Sequence, residues 1–214
     1  VAFTHTQPGA AAEETLLAIG AAGAEGRRFQ VPASDGAATA AMIAEIESAW
    51  GGLDVLVNNA GVSQTLPLAL IDEADFDLVM DVNVKGAFVT SKAALRGMIR
   101  RRSGVILNIG SLVGLRAIDA PVHYAASKAA VHGLTLAMAK EVARHQVRVL
   151  CLAPGLLEDG LGKNIPEHRL ADFLRHCSLG RPGTFDEVAR FAAFLVSDRS
   201  SYTTGEIVVM DGGL

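Results

Sequence analysis

Three side chains in one stretch, SLVGLRAIDAPVHYAASK from Ser111 to Lys128, have the types and spacing to move a proton together. An apolar run, Val105 to Ile109, precedes the serine and reads as a buried strand. An alanine-rich run, Ala125 to Ala143, follows and reads as a helix. Tyr124 and Lys128 are four residues apart, so on that helix they share a face. Ser111 sits at the strand's exit. A hydroxyl, a phenol and an ammonium then converge where open α/β sheets hold their ligands.

A free tyrosine titrates near ~10 and is a poor acid–base group at neutrality. A neighbouring ammonium favours the phenolate and lowers that value toward the operating range. A serine hydroxyl can hold a substrate oxygen within reach of the phenol. The set suits proton transfer to a carbonyl or from an alcohol, but it supplies no electron pair, so a hydride-carrying cofactor is implied. Tyr/Lys pairs at this spacing are also common on helix surfaces, and the pair alone does not make an active site.

Other motifs fall in order around the stretch. Asn58-Asn59-Ala60-Gly61 follows the buried strand read over Leu53 to Val57. Asn83 stands in Asp81-Val82-Asn83-Val84-Lys85-Gly86, inside an otherwise helical pattern where asparagine is a mediocre choice. Pro154-Gly155 ends the strand that begins at Val147. With the serine–tyrosine spacing of thirteen residues, these motifs resemble the short-chain dehydrogenase/reductase family from Val1 to Leu214. Within it, the resemblance is greatest to the 3-oxoacyl-[acyl-carrier-protein] reductases and stand-alone polyketide ketoreductases.

The resemblance implies a Rossmann-type, doubly wound parallel α/β sheet in three αβα layers, a single reductase domain over residues 1–214. It implies NADPH-dependent reduction of a 3-oxoacyl thioester carried by acyl carrier protein, in fatty acid or polyketide synthesis. Tyr124 would donate the proton, Lys128 would lower its pKa and touch the nicotinamide ribose, and Ser111 would orient the carbonyl. Asn83 would bend its helix and complete a proton relay to Lys128. Asn59, Ala60, Gly61, Pro154 and Gly155, with Tyr124 and Lys128, would line the cofactor cleft. The ending Asp211-Gly212-Gly213-Leu214 resembles that of tetrameric members, so a homotetramer or homodimer is expected. Two rival readings are a reductase or dehydrogenase of another small alcohol or ketone, and a degenerate, non-catalytic paralogue kept as a subunit.

The elements that must position the trio read as alternating strands and helices. Val1 to Thr6 and Arg28 to Val31 read as strands; Ala10 to Ala22, Ala37 to Trp50, one or two helices over Asp72 to Met98, and Asp186 to Val196 read as helices. Glu206 to Met210 reads as the last strand. The family's first strand and glycine-rich pyrophosphate turn are missing from the sequence, and the missing strand would lie between the one at Val1 and the one ending at Val57. The expectation is a chain that is part of a longer one, its sheet left with an apolar slot and unpaired edges; the rival is a paralogue truncated in fact. Pro32 stands where the family often carries an adenine-facing aspartate, and Asp35 reads as a helix cap. Thr4, His5, Thr6 and Gln7 offer no acid to meet a ribose, which favours NADP(H) over NAD(H). After Gly155 the family's cofactor-touching threonine is replaced by Leu156-Leu157-Glu158-Asp159-Gly160. Residues 156–180, with Lys163, His168, Arg169, Arg175 and His176, would form a substrate-covering lid.

Composition narrows the classes further. The chain has 214 residues and a net charge of −4, without the basic excess of a nucleic-acid binder. Cys151 and Cys177 fit neither a metal spacing nor a disulfide framework. No leader or apolar span of membrane length is read, so the expected setting is cytoplasmic. Arg100-Arg101-Arg102 reads as a solvated helix end, or as a docking surface for an acidic acyl carrier protein.

Overall fold

The structure is a computed structural model, and it describes residues 1–6, 9–160 and 167–214, with backbone alone over 167–169. Six strands and seven α-helices are described. In chain order they are β1 (Ala2–His5), α1 (Ala10–Ala21), β2 (Arg27–Gln30), α2 (Gly36–Trp50), β3 (Val55–Asn58), α3 (Glu73–Met80) and α4 (Gly86–Arg101), then β4 (Gly104–Ile109), α5 (Val122–Val142), β5 (Val147–Pro154), α6 (Glu167–His176), α7 (Phe185–Val196) and β6 (Glu206–Met210). All strand pairings are parallel.

The strands form two sheets. One is β1–β2; the other runs β3–β4–β5–β6. Among the described residues no strand pairs β1 to β3. Val55 and Val57 on β3 are accordingly 38% and 45% exposed, although valine is a strand-forming, apolar residue. This is the open, apolar edge expected from the sequence.

Burial is deepest in the middle of the larger sheet. Ile106, Leu107, Val149, Leu150 and Leu152 on β4 and β5 are fully buried, because helices cover both faces. On one face α4 and α5 contribute Ala94, Met98, Met138 and Val142. On the other, α7 lays Leu195, Val188 and Phe191 over Leu150 and Leu152. The helix α2 packs Met42, Ile43 and Ile46 against Phe29 of β2 and Ala93 of α4. The helix starts follow local chemistry. Asp35 caps α2, accepting from the backbone N–H of Ala37 and Ala38, and Asp72 and Thr184 form capping boxes at α3 and α7. No described helix is long and apolar enough to cross a membrane.

A buried polar chain stitches the layers at the carboxyl end of the large sheet. The Asn58 side-chain amide donates to Ser91 Oγ on α4 (2.9 Å) and to Asn108 Oδ1 on β4 (2.8 Å). Asn108 Nδ2 in turn donates to Thr135 Oγ1 on α5 (2.8 Å). Each buried donor or acceptor left without its partner costs about 1–3 kcal/mol. Replacing Asn108 by Ala leaves one Asn58 amide proton without an acceptor and Thr135 Oγ1 without its donor, although Asn58 keeps Ser91 and Thr135 keeps the Val131 carbonyl. Asn108→Ala is expected to lower stability by roughly 1–3 kcal/mol, read as a lower urea midpoint with an unchanged slope.

Candidate active site

The site is built where β4 ends and α5 begins. Gly110 donates its N–H to the Leu152 carbonyl (2.7 Å) and Leu112 to the Pro154 carbonyl (2.9 Å), which fastens the exit of β4 to β5. Ser111 lies between those anchors. Its Oγ accepts from the Val113 N–H (3.1 Å) and faces the Tyr124 phenol closely enough to oppose the rise in its pKa. Tyr124 is in the first turn of α5, whose start follows Pro121. Lys128 is one turn further along the same face.

Lys128 is 5% exposed. Its Nζ donates to the Ile109 carbonyl (2.8 Å) and stands 5.7 Å from the Tyr124 ring centroid. Burial pulls its pKa down to about 8, with the neighbouring Cys151 opposing that shift. Tyr124 departs from the sequence expectation. Burial raises its pKa, and the Ser111 hydrogen bond only partly offsets the rise. The ammonium donates to a backbone carbonyl, and burial outweighs the lowering of the phenol's pKa expected from the sequence.

Asn83 lies in a π-helical turn, Asp81–Lys85, that joins α3 to α4. Such turns are rare and often mark functional sites. Asn83 is 3% exposed. Its Oδ1 accepts from the Val62 N–H (2.8 Å), and its Nδ2 donates to the Val62 carbonyl (3.0 Å) and to Ser127 Oγ (2.9 Å). Ser127 Oγ in turn donates a hydrogen bond to the Tyr124 backbone carbonyl (2.7 Å). Asn83 therefore ties the loop after β3 to the turn that carries the tyrosine.

That loop holds Asn59, Ala60 and Gly61. Asn59 and Ala60 are exposed. A Cβ added to Gly61 would sit 3.5 Å from Asn83 Oδ1 and 3.7 Å from Lys128 Nζ, so the backbone runs close beside the ammonium. Pro154 is buried at the end of β5, and Gly155 follows half-buried. The sequence-selected groups Asn83, Ser111, Tyr124, Lys128 and Gly61 thus come together. This open backbone edge beside a buried ammonium fits the ribose and nicotinamide end of a dinucleotide, whereas the sequence contains no glycine-rich turn for its pyrophosphate.

Other selected residues lie elsewhere. His5, with Gly9, Arg28 and Gln30, lines a separate pocket of about 350 Å³ at the small sheet. Arg175 and His176 are exposed at the end of α6, both beside Asp172. Lys163, with Gln7 and Pro8, lies outside the described residues, as do the side chains of His168 and Arg169. Arg101 donates to the Leu53 carbonyl (2.6 Å) and pairs with Glu47 (3.2 Å), and Arg102 donates to the Arg144 carbonyl (3.0 Å). Arg100, 76% exposed, reaches the same Glu47 at 3.6 Å, and Arg102 is exposed as well. Among the described residues no group of His, Cys, Asp or Glu is arranged to hold a metal ion.

Sequence reasoning passed over Ser127 and the Asn108–Thr135 pair. It also passed over His132, one turn beyond Lys128, which is 4% exposed with neither ring nitrogen hydrogen-bonded. Burial and Lys128 lower the His132 pKa, which keeps the ring neutral. The signal available was spacing: Ser127, Lys128, Val131, His132 and Thr135 recur at helical intervals along the buried face of α5.

Known proteins can now be set beside this geometry. The sequence profile of a family described as Enoyl-(Acyl carrier protein) reductase matches residues 1–214. The 3-oxoacyl-[acyl-carrier-protein] reductase FabG of Thermotoga maritima is 40% identical over 173 residues, 81% of this chain and 70% of that protein. FabG of Staphylococcus aureus is 36% identical over 203 residues, 95% of this chain and 82% of that protein. A crystal structure named as that of a short-chain alcohol dehydrogenase from Sinorhizobium meliloti 1021 superposes with a TM-score of 0.92 at 34% identity, covering 99% of this chain and 84% of that one. The chain belongs to the short-chain dehydrogenase/reductase family. Its fold is that family's Rossmann-type α/β architecture, and the family's enzymes are NAD(P)-dependent oxidoreductases.

The depressed pKa of Lys128 carries a stability signature. Between about 8 and the unfolded value of 10.5, the unfolded chain holds a proton that the native chain has released, so stability rises with pH across that window. Lys128→Met removes this dependence, while Cys151 and its own titration remain in both proteins. From pH 7.5 to 9.5 the wild type is expected to gain roughly 2 kcal/mol on the Lys128→Met variant in urea unfolding. A difference that stays constant with pH would show an ordinary lysine.

Proposed function

We propose that this chain reduces a 3-oxoacyl thioester, carried by acyl carrier protein, to the 3-hydroxyacyl thioester, with NADPH as the hydride source. The observation that carries the reading is the Ser111–Tyr124 hydroxyl pair at the exit of β4, with Lys128 one turn behind it. The names of the curated relatives support the substrate class. The matched family's description names enoyl reduction instead. Two hydroxyls meeting at one point favour the ketone, whose reacting carbon bears the oxygen they would grip.

In the reaction, Ser111 donates a hydrogen bond to the substrate carbonyl oxygen, and Tyr124 gives that oxygen its phenolic proton. NADPH, when bound, supplies a hydride to the carbonyl carbon. Lys128 holds the ribose end of the cofactor beside Gly61 and steadies the phenolate left on Tyr124. That second task matters because burial alone makes this phenol reluctant to ionise. Asn83 fixes Ser127 and so the backbone of Tyr124, and it supports return of a proton toward Lys128.

The preference for NADPH rests on the pocket at His5, Gly9, Arg28 and Gln30, whose described lining includes no carboxylate; the nearby Glu13 is paired with Arg28 (2.7 Å). Exposed Phe185, Tyr202 and Val209, on and between α7 and β6, support assembly into a homo-oligomer. For the carrier protein, Arg100 is the candidate contact, since it is 76% exposed and its tie to Glu47 is long (3.6 Å), whereas Arg101 and Arg102 donate to backbone carbonyls.

Oxidation of NADPH with a short 3-oxoacyl thioester, beside NADH, tests the reading. Tyr124→Phe is expected to cut kcat at least ~100-fold with the fold retained, as loss of a general acid does; undiminished turnover would sink the assignment. Arg100→Glu is expected to raise KM several-fold for the carrier-bound substrate and leave KM for a short thioester unchanged, by ~1–2 kcal/mol of lost charge complementarity. Equal KM values for both substrates in the two proteins would remove Arg100 from docking.

A further inference from the structure

Asp211 stands directly after β6, at a junction of three segments. Its Cα and Cβ approach Gly155 so closely that a Cβ there would come within 2.9 Å and 3.0 Å of them. Its Oδ1 accepts from the Gly213 N–H (2.9 Å), which shapes the turn. Its Oδ2 is buried and makes no hydrogen bond. The charge set against that oxygen is the guanidinium of Arg116, 3.3 Å away.

Arg116 belongs to the loop that runs from Ser111 to Pro121, between β4 and α5. It is half-exposed, whereas the Asp211 side chain is only 9% exposed. Its backbone N–H donates to the Leu112 carbonyl (3.2 Å), four residues back and next to Ser111. Pulling on Arg116 therefore pulls on the turn that aims the serine.

The third segment is the exit from α6. Leu179 donates its N–H to the Gly212 carbonyl (3.0 Å), and Ser178 Oγ donates to the Gly213 carbonyl (2.8 Å). The buried Cys177 thiol lies 3.7 Å from the Asp211 carbonyl and 3.5 Å from that of Gly212. One short turn, Asp211 to Gly213, thus holds the end of the substrate-side segment, the serine loop and the Gly155 turn.

We propose that Arg116 and Asp211 form a positioning latch, through which the serine loop and the exit from α6 hold each other in place around the substrate. Neither residue touches the reacting atoms. Their ion pair acts through Ser111 on one side and through Cys177 to Leu179 on the other. The arrangement depends on a charge, because breaking the pair leaves a buried carboxylate oxygen uncompensated, and such a group re-solvates by moving. Movement of Asp211 releases the backbone bonds that Gly212 and Gly213 accept. The kinetic part of this proposal rests on the reductase reading above; the structural part does not.

Hydrogen exchange on the full chain tests the latch without turnover. Arg116→Met is expected to speed exchange at least ~10-fold at the amides of Leu115 and Arg116 and also at Leu179, which lies across the junction, while amides of β4 and β5 keep their rates. Arg116→Lys keeps the charge and is expected to restore most of the protection at both places. Faster exchange confined to the serine loop, or none, overturns the latch. In the reductase assay, Arg116→Met is expected to lower kcat/KM for the thioester about tenfold and to leave KM for NADPH within about twofold, as misplacement of a substrate-orienting group does. An unchanged thioester kcat/KM beside a normal wild-type rate also overturns it. A wild type without turnover refutes the reductase reading and leaves the exchange result to decide the latch.

Discussion

The bond from Lys128 Nζ to the Ile109 carbonyl, 2.8 Å long, is the contact on which the rest of the site depends. An ammonium in a mostly dry place is expensive, and the pKa of about 8 measures that expense. The strand end offers a carbonyl that no neighbouring strand has taken, and it partly replaces water. Because the carbonyl belongs to β4 and the ammonium to α5, the bond fixes helix against sheet at one point. Tyr124, one turn away, inherits that fix, and Ser111, two residues beyond Ile109, meets it from the strand side. Asn83 secures the same turn from a third direction through Ser127. The geometry of the trio follows from this crossing of one strand end and one helix.

Burial thus acts on Lys128 and Tyr124 in opposite senses of charge. It pushes the lysine toward the neutral amine and the tyrosine toward the neutral phenol. Both shifts disfavour charge: the phenol is held neutral, while the lysine, lowered to about 8, remains an ammonium at neutral pH that releases its proton more readily than a free one. The neutral His132 behind Lys128 fits the same pattern, a titratable ring kept uncharged next to an ammonium.

Much of this was legible in the sequence because it is written in local spacing. The thirteen residues from Ser111 to Tyr124 and the four to Lys128 give the trio, and strand–helix alternation gives the sheet. The boundary of α3 and α4 was legible only as an oddly placed asparagine, since a π turn has no pattern of its own; the structure shows Asn83 in one. The direction of the Tyr124 shift was not legible. It depends on how deeply the phenol is buried and where the ammonium points, and both are set by packing. The role of Arg101 was equally hidden, because a basic run at a helix end looks solvated until Glu47 and the Leu53 carbonyl arrive from distant elements. The Arg116–Asp211 pair joins residues 95 apart in sequence; Asp211 was legible only as part of the chain's ending, and Arg116 stands in no recognisable pattern.

The division of the strands into two sheets bears on how these parts cooperate. The large sheet carries the strand-end groups of the site, the Gly61 loop after β3, Ser111 after β4, Pro154 at the end of β5 and Asp211 after β6, while α5, packed on it, carries Tyr124 and Lys128. The small sheet carries the His5 pocket and none of the trio. What links the two is α2, which packs Ile43 and Ile46 between Phe29 of β2 and the α4 layer. A ligand spanning both sheets would meet the proton machinery at one end and the His5 pocket at the other, so affinity and chemistry would reside in separately held halves. In such an arrangement, interactions at the small sheet contribute to binding, while the rate of proton transfer is governed by the crossing of β4 and α5.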